Sequence, residues 1–313
     1  MNFRLNNIHR LVAALVIILT FSSCKKFQGD VTIPAYLHLD RIDVVPQRQN
    51  SPSNEAGFYS SLVDCVQLIA FFEGDDKETT LGVFQFPVTV PVLRHGEMKY
   101  LRVLPCVKQN GSSTTRIAYP YYQTIVLENV KLAPDSVTNL GMQDEQTGEW
   151  YLEANYFERG QFTVLAEDYF EPTSFSSNLD SNVVWITNDR EGACTGTGYG
   201  MVTVPDSVKV MAFYYNEEFN LPNSILYLEM DYWTDLELDL DMIGFPYSTA
   251  GTATSFGVMR LVPNNHWQKI YINLGRTWSR FNFSSPIKLF FQAINPNGTG
   301  GHVKIDNIKV VAI

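Results

Sequence analysis

From Ile33 onward, apolar side chains recur at every second position, and a sustained 3.6-residue repeat is almost absent. Period-2 alternation puts successive side chains on opposite faces of a pleated strand, which commits the chain to sheets with a buried face. The clearest segments are Ile225–Trp233 (ILYLEMDYW), Trp267–Leu274 (WQKIYINL) and Ile287–Ala293 (IKLFFQA). The first groups Leu226, Leu228, Met230 and Tyr232 on one face, and the second groups Ile270, Ile272 and Leu274. The third groups Ile287, Leu289, Phe291 and Ala293. In Val303–Ile313 the phase changes: Val303 and Ile305 face one way, and Ile308, Val310 and Ala312 continue out of register. One inserted residue at Asp306-Asn307, a β-bulge, accounts for that. With 20 Phe, 16 Tyr and 45% hydrophobic residues, the expected fold class is all-β, with two β-sandwich domains.

The first unit is expected over residues 33–140. Val63–Phe72 (VDCVQLIAFF) reads as a buried strand, Glu73–Lys77 as a hairpin loop, and Leu81–Phe86 as the return strand. Pro87 and Pro91 bracket Val88–Val90, which marks an edge or crossover piece because proline donates nothing to a ladder. Tyr100–Val107 and Thr124–Val130 add strands, with Gln109-Asn110-Gly111 as a turn. About six short strands suit an immunoglobulin-like sandwich. Pro120-Tyr121-Tyr122 is either an exposed docking patch or a packed loop. Polar, turn-rich residues 134–149 read as a linker, and the second unit as residues 150–313. The stretches LGVFQFPVTVPVL and VLPCVKQNGSSTTRIAYPYY resemble the N-terminal module of uncharacterised Bacteroidota lipoproteins over residues 33–130, a resemblance that carries no known chemistry.

The leader gives an address. Arg4 and Arg10 precede Leu11–Phe21, an apolar run of 11 residues. As a helix that run spans about 16 Å, too short for the ~30 Å hydrocarbon core, so residues 1–23 read as a signal peptide. Ser22-Ser23-Cys24 at the end of this run resembles the lipobox of bacterial lipoproteins, with Phe21 where leucine is usual, a departure familiar in Bacteroidota. The resemblance implies acylation of Cys24, a tether over residues 24–32, and a lipid-anchored outer-membrane protein at the cell surface rather than the periplasmic face. Lys25 and Lys26 stand where surface-exported relatives often carry acids, which leaves the leaflet open. Two or three acyl chains at ~0.8 kcal/mol per buried methylene hold a protein stably. Loss of residues 1–23 removes two arginines and no acid, leaving 21 basic and 33 acidic residues. Such acidity argues against nucleic acid and against docking on anionic lipid. Three cysteines would remain: Cys65 and Cys106 can pair within one unit, or all of them, Cys194 included, stay as thiols.

Catalytic signatures are absent from the sequence: there is no His-Glu-x-x-His, Gly-x-Ser-x-Gly or Cys-x-x-Cys, and His38, His95, His266 and His302 are scattered. Gly196–Gly200 lacks the Lys-Ser/Thr of a phosphate loop and reads as a flexible loop. Asp235-Leu236-Glu237-Leu238-Asp239-Leu240-Asp241 alternates strictly and would present four carboxylates on one face, as a cation or partner site or as a solvated face that discourages edge pairing. Sugar recognition needs aromatic platforms with polar neighbours, and Trp185, Trp233, Trp267, Trp278 and Tyr247 are the candidates. Trp233 falls on the polar phase of its strand, so the expected ligand-binding set is Trp233, Asp231, Trp267 and Arg276.

The pieces Asp168–Glu171, Tyr227–Tyr232, Trp267–Tyr271 and Ile305–Ile308 resemble the jelly-roll modules of the carbohydrate-binding and galactose-binding-like superfamily. That resemblance implies a jelly roll for the second unit and a structural calcium between its first and last strands, at Glu171 and Asp306. The alternative is that Asp306 and Asn307 satisfy the free backbone groups of the bulge. The leading functional expectation is a non-catalytic outer-membrane lipoprotein serving as accessory or scaffold subunit of an envelope protein complex. The alternative is a surface glycan-binding lipoprotein.

Overall fold

A computed structural model describes residues 33–46, 60–156, 163–170, 180–219, 225–244, 252–281 and 286–312. The signal peptide, Cys24, the tether, Glu171 and Tyr247 lie outside the described residues. Those described are almost entirely β: twenty-one strands and one four-residue helix.

Strands β1 (Ala35–Leu39), β2 (Arg41–Pro46), β3 (Cys65–Phe72), β4 (Thr79–Gln85) and β5 (Val88–Val92) open the N-terminal half. They are followed by β6 (Gly96–Lys108), β7 (Arg116–Ala118), β8 (Ile125–Leu132), β9 (Val137–Asn139), β10 (Met142–Gln143) and β11 (Trp150–Tyr156). One sheet runs β4-β3-β6-β7 with β8 also on β6, and two smaller ones run β5-β1-β9 and β10-β11-β2. The alternation read in VDCVQLIAFF sends Val66, Leu68, Ala70 and Phe72 into the core, where Leu101 and Val103 of β6 join them. As the prolines require, β5 is an edge strand. Cys65 and Cys106 are Cα partners across β3 and β6, both buried and both free thiols, and Cys194 is a half-buried thiol.

The stretch over 134–149, expected as a linker, is built into the sheets. Its β9 pairs with β1 in parallel and its β10 with β11, and β11 itself pairs with β2 over six positions. The short β9 and the longer β11 pair with residues about a hundred positions earlier, which no local pattern in 134–149 reveals. The chain leaves the N-terminal half after Tyr156, not at residue 150.

The C-terminal half comprises β12 (Thr163–Asp168), β13 (Val184–Ile186), β14 (Tyr199–Val204), β15 (Val210–Phe219) and β16 (Leu226–Thr234). The chain then forms β17 (Glu237–Gly244), β18 (Thr254–Leu261), β19 (Gln268–Asn273), α1 (Gly275–Trp278), β20 (Ile287–Ile294) and β21 (Gly301–Ala312). A six-stranded sheet, β13-β14-β21-β16-β19 with β12 also on β21, faces the four-stranded sheet β15-β20-β17-β18. Leu228, Met230, Ile272 and Val310 from the first meet Phe213, Leu240, Met242 and Phe291 from the second, with Phe213 and Phe291 stacked at 5.0 Å. Each such fully buried side chain contributes roughly 1.5–3 kcal/mol. This is the sandwich that the alternation calls for and the jelly roll that the resemblance implies.

The bulge sits where the phase change places it. Glu229 pairs with Lys309 but Asp231 with Asp306, and Asn307 takes φ 51°. Asparagine tolerates that left-handed conformation better than most residues. Gly196–Gly200 is not slack. A Cβ on Gly198 would lie 1.9 Å from the Phe170 carbonyl oxygen, so the segment is pressed against its neighbour and Tyr199 begins β14.

Candidate functional site

The outer face of the six-stranded sheet carries Tyr227, Glu229, Asp231, Tyr271, Asp306 and Lys309, and all are buried. Its cover is the N-terminal half. The Pro-Tyr-Tyr loop does dock, but within the molecule: Tyr119, Tyr121 and Tyr122 form a ring cluster with Tyr227 and Tyr271, centroids 4.9–6.4 Å apart. Glu229, with 0% exposure, accepts hydrogen bonds from the hydroxyls of Tyr119 at 2.7 Å and Tyr156 at 2.5 Å, and faces Lys309 Nζ at 4.0 Å. Burial first, then the Glu229 charge, pushes both tyrosine hydroxyls far above their usual range, so they stay protonated donors. The Gln109–Gly111 turn reaches across too: Asn110 N–H donates to the Tyr271 carbonyl, and Asn273 N–H donates to Asn110 Oδ1.

This cover corrects part of the expected ligand set. Asp231 is 2% exposed and accepts from Ser60, Lys269 and Asn307, so no ligand reaches it. Trp233 does lie on the outer phase, half-buried, with Lys304 Nζ 5.3 Å from its ring centroid. Trp267 donates its indole N–H to the Gly192 carbonyl and packs edge-on against Tyr199. Arg276 is exposed on α1, in a different cleft from these two. The four residues therefore form no single site.

Of the two residues expected to hold a structural calcium, Glu171 lies outside the described residues and Asp306 is hydrogen-bonded to backbone amides. Its Oδ1 accepts Asn307 N–H at 2.8 Å and its Oδ2 accepts Thr195 N–H at 3.3 Å. Burial, then repulsion from Asp231, pushes its pKa up to about 8. Among the described residues no group of three or more His, Cys, Asp or Glu is placed to hold a metal.

The four-stranded sheet keeps its outer face in solvent contact. With Phe213 and Tyr215 turned inward, Tyr214 points out; with Leu289 and Phe291 inward, Phe290 and Gln292 point out. The register aligns a row of Tyr214, Phe290, Asp241 and Gly257 across four strands. The next row is Ala212, Gln292, Asp239 and Arg260. Tyr214 and Phe290 pair at 4.7 Å with an interplanar angle of 32°. Beside them Arg260 grips Asp239 through two bonds of 2.6 and 2.8 Å and reaches Glu237 at 2.8 Å. Those carboxylates hold the guanidinium above its ordinary pKa. Asp241 accepts from Ser255 Oγ at 3.1 Å and Gln292 Nε2 at 3.5 Å. Gly257 leaves the end of the aromatic row open.

The face is thus an aromatic floor next to polar groups whose directions are already set. Three strand spacings make each row about 14 Å long, room for two or three sugar rings. A pyranose offers an apolar C–H face to an aromatic ring and hydroxyls to carboxylate, amide and guanidinium groups at its rim. The Glu237–Asp241 alternation supplies three of its carboxylates, while Asp235 sits in the turn and binds His302 N–H. Tyr214 and Phe290 were within reach of sequence reasoning. Phe290 falls on the outward phase of a strand whose inward residues are legible, the criterion that selects Trp233, and the same alternation in Val210–Phe219 puts Tyr214 outward.

No protein-family model matches the chain, and no curated protein matches it in sequence. Solved structures are similar to about half of it. A xylan-binding domain from Paenibacillus barcinonensis is 12% identical over 49% of this chain and 96% of that one, with a TM-score of 0.34. The family 30 carbohydrate-binding module of a Clostridium thermocellum cellulosomal cellulase is 14% identical over 47% and 92%, at 0.31. The family 11 module from the same organism, in complex with a β-1,3-1,4-mixed-linked tetrasaccharide, is 12% identical over 47% and 96%, also at 0.31. The likeness concerns the sandwich fold and extends no further.

Proposed function

We propose that the protein binds glycans without transforming them, through the outer face of its four-stranded sheet, while anchored to the outer membrane by acyl chains on Cys24. The observation that carries this reading is the half-exposed Tyr214–Phe290 pair beside the fixed Arg260–Asp239 and Asp241–Ser255 contacts. A face organised this way binds with little reorganisation, because the polar side chains are held in place before the ligand arrives. Calorimetric titration of the protein against a panel of neutral polysaccharides tests it. Tyr214→Ala or Phe290→Ala is expected to weaken binding tenfold or more, about 1.4 kcal/mol, and Trp233→Ala to leave it unchanged. Absence of binding across the panel, or indifference to both substitutions, would overturn the reading.

The accessory-subunit reading rests on a different face. On the outside of the β3–β6 sheet, Phe71 stacks on Tyr100 at 5.1 Å, with Ile69, Val83 and Val126 nearby, the last 51% exposed. An outer-membrane protein seated there should be lost from detergent-solubilised complexes by Ile69→Glu or Val126→Glu. A stoichiometric complex that survives both substitutions would count against this face.

A further inference from the structure

Where the N-terminal turn crosses to β19, the two halves enclose a cleft of about 890 Å³, within the range of small-molecule sites. Gln109, Asn110 and Thr115 line it from one side, and Asn273, Arg276 and Thr277 from the other. Its lining holds no carboxylate, although the chain carries a net charge of −10. Its one charged lining residue is Arg276, which is exposed and makes no ion pair with any described residue. By contrast, Arg41 is tied to Asp43, Asp144 and Glu149, and Arg260 to Glu237 and Asp239.

The hydrogen-bonding capacity around Arg276 is ordered but not used up. Asn110 Oδ1 accepts from Asn273 N–H, which fixes the amide plane and leaves its Nδ2 free to donate. Asn273 Oδ1 accepts from Gly275 N–H and so fixes the start of α1. Thr115 Oγ1 donates to the Gln109 carbonyl at 2.6 Å, which leaves its lone pairs as acceptors. The Gln109 side-chain amide makes no hydrogen bond among the described residues. Ile225, 51% exposed, supplies an apolar wall.

We infer that this interdomain cleft is a second binding site, one for a carboxylate-bearing saccharide. A guanidinium fork matches a carboxylate in two parallel bonds, and the amide and hydroxyl groups suit the sugar hydroxyls. No aromatic ring lines the cleft, so an end residue held by hydrogen bonds fits better than a chain stacked along a floor. The open sheet face, with Glu237, Asp239 and Asp241 against Arg260, disfavours the same anion, so the two sites divide neutral from acidic ligands.

Calorimetry on the intact protein with trigalacturonate, its methyl ester, inorganic sulfate and a tetraglutamate peptide tests the inference. The free acid should bind at least tenfold tighter than the ester at low salt, and more weakly as salt is added. Arg276→Gln should remove that preference and Arg276→Lys keep part of it, with the melting temperature unchanged because the side chain is exposed. Tyr214→Ala with Phe290→Ala should leave it intact, which separates this site from the sheet face. Equal affinity for acid and ester, or no effect of Arg276→Gln, would overturn the site. Sulfate or tetraglutamate binding as tightly as trigalacturonate would overturn the saccharide assignment.

Discussion

Glu229 is the residue on which the contact between the two halves turns. It sits without solvent contact between two tyrosine hydroxyls and the Lys309 ammonium, whose Nζ also lies 4.6 Å from the Tyr156 ring centroid. Removing one partner of such a buried group strands the others, at a cost of about 3–5 kcal/mol. Glu229→Ala should lower the denaturant midpoint accordingly, whereas Tyr119→Phe, which removes one donor, should cost about 1–3 kcal/mol. A midpoint unchanged in Glu229→Ala would mean that the halves are not joined there. Two groups nearby give a pH signature. Asp306 is pushed up to about 8 by burial and Asp231, while burial lowers Lys309 to about 8. Between about pH 4 and 8 the folded state keeps the Asp306 proton that the unfolded chain has lost, so stability falls as pH rises. Between about 8 and 10.5 the unfolded chain keeps the Lys309 proton that the folded state has lost, so stability rises again. Chemical denaturation across pH should therefore show a minimum near 8, and Asp306→Asn should flatten its acid side. Thiol chemistry follows from burial as well. Cys65 and Cys106 should resist a maleimide in the native protein, and Cys194, its thiol raised to about 12 by burial, Asp231 and Asp306, should react slowly.

Among the elements, those with one wet face were the easiest to read. The leucines of β17 and the outward carboxylates between them are where alternation puts them, and so is the bulge in β21. Deleting Asn307 would return β21 to a single phase with Ile308, Val310 and Ala312 still on the core face beside Val303 and Ile305. That deletion should still fold and melt cooperatively, weakened by loss of the Asn307 bonds to Asp231 and Thr195; a chain that fails to fold would contradict Asn307 as the extra residue. What the sequence hid were long-range covers. Asp231 looked like a ligand group because the outer face of a lone sandwich is wet. The residues that close it, Ser60 and Tyr119 among them, come from more than a hundred positions earlier and carry no local signal of where they pack. The 134–149 stretch hides its pairing in a related way, since β9 is defined by β1 a hundred positions earlier and β10 by β11, which itself pairs with β2. Phe290 was missed for another reason: its strand was read for its core face alone.

At the scale of the whole molecule, the N-terminal half closes the outer face of one sheet of the jelly roll and leaves that of the other in solvent contact. The two halves share one apolar cluster, in which Tyr227, Tyr271 and Val311 of the C-terminal half pack with the N-terminal core. A chain cut between Tyr156 and Thr163 should therefore yield a C-terminal piece that aggregates or melts well below the intact protein, because it bares a face of tyrosines and buried charges. The cover also decides which sheet is left to work, and that assignment is the central claim. Hydrogen–deuterium exchange of the intact protein at saturating neutral oligosaccharide tests it most directly. Protection gained in β15, β17, β18 and β20, with β16, β19 and β21 unchanged, is the predicted result. Saturable binding that protects the six-stranded sheet or the N-terminal half instead, and leaves the Tyr214–Phe290 face untouched, would contradict it.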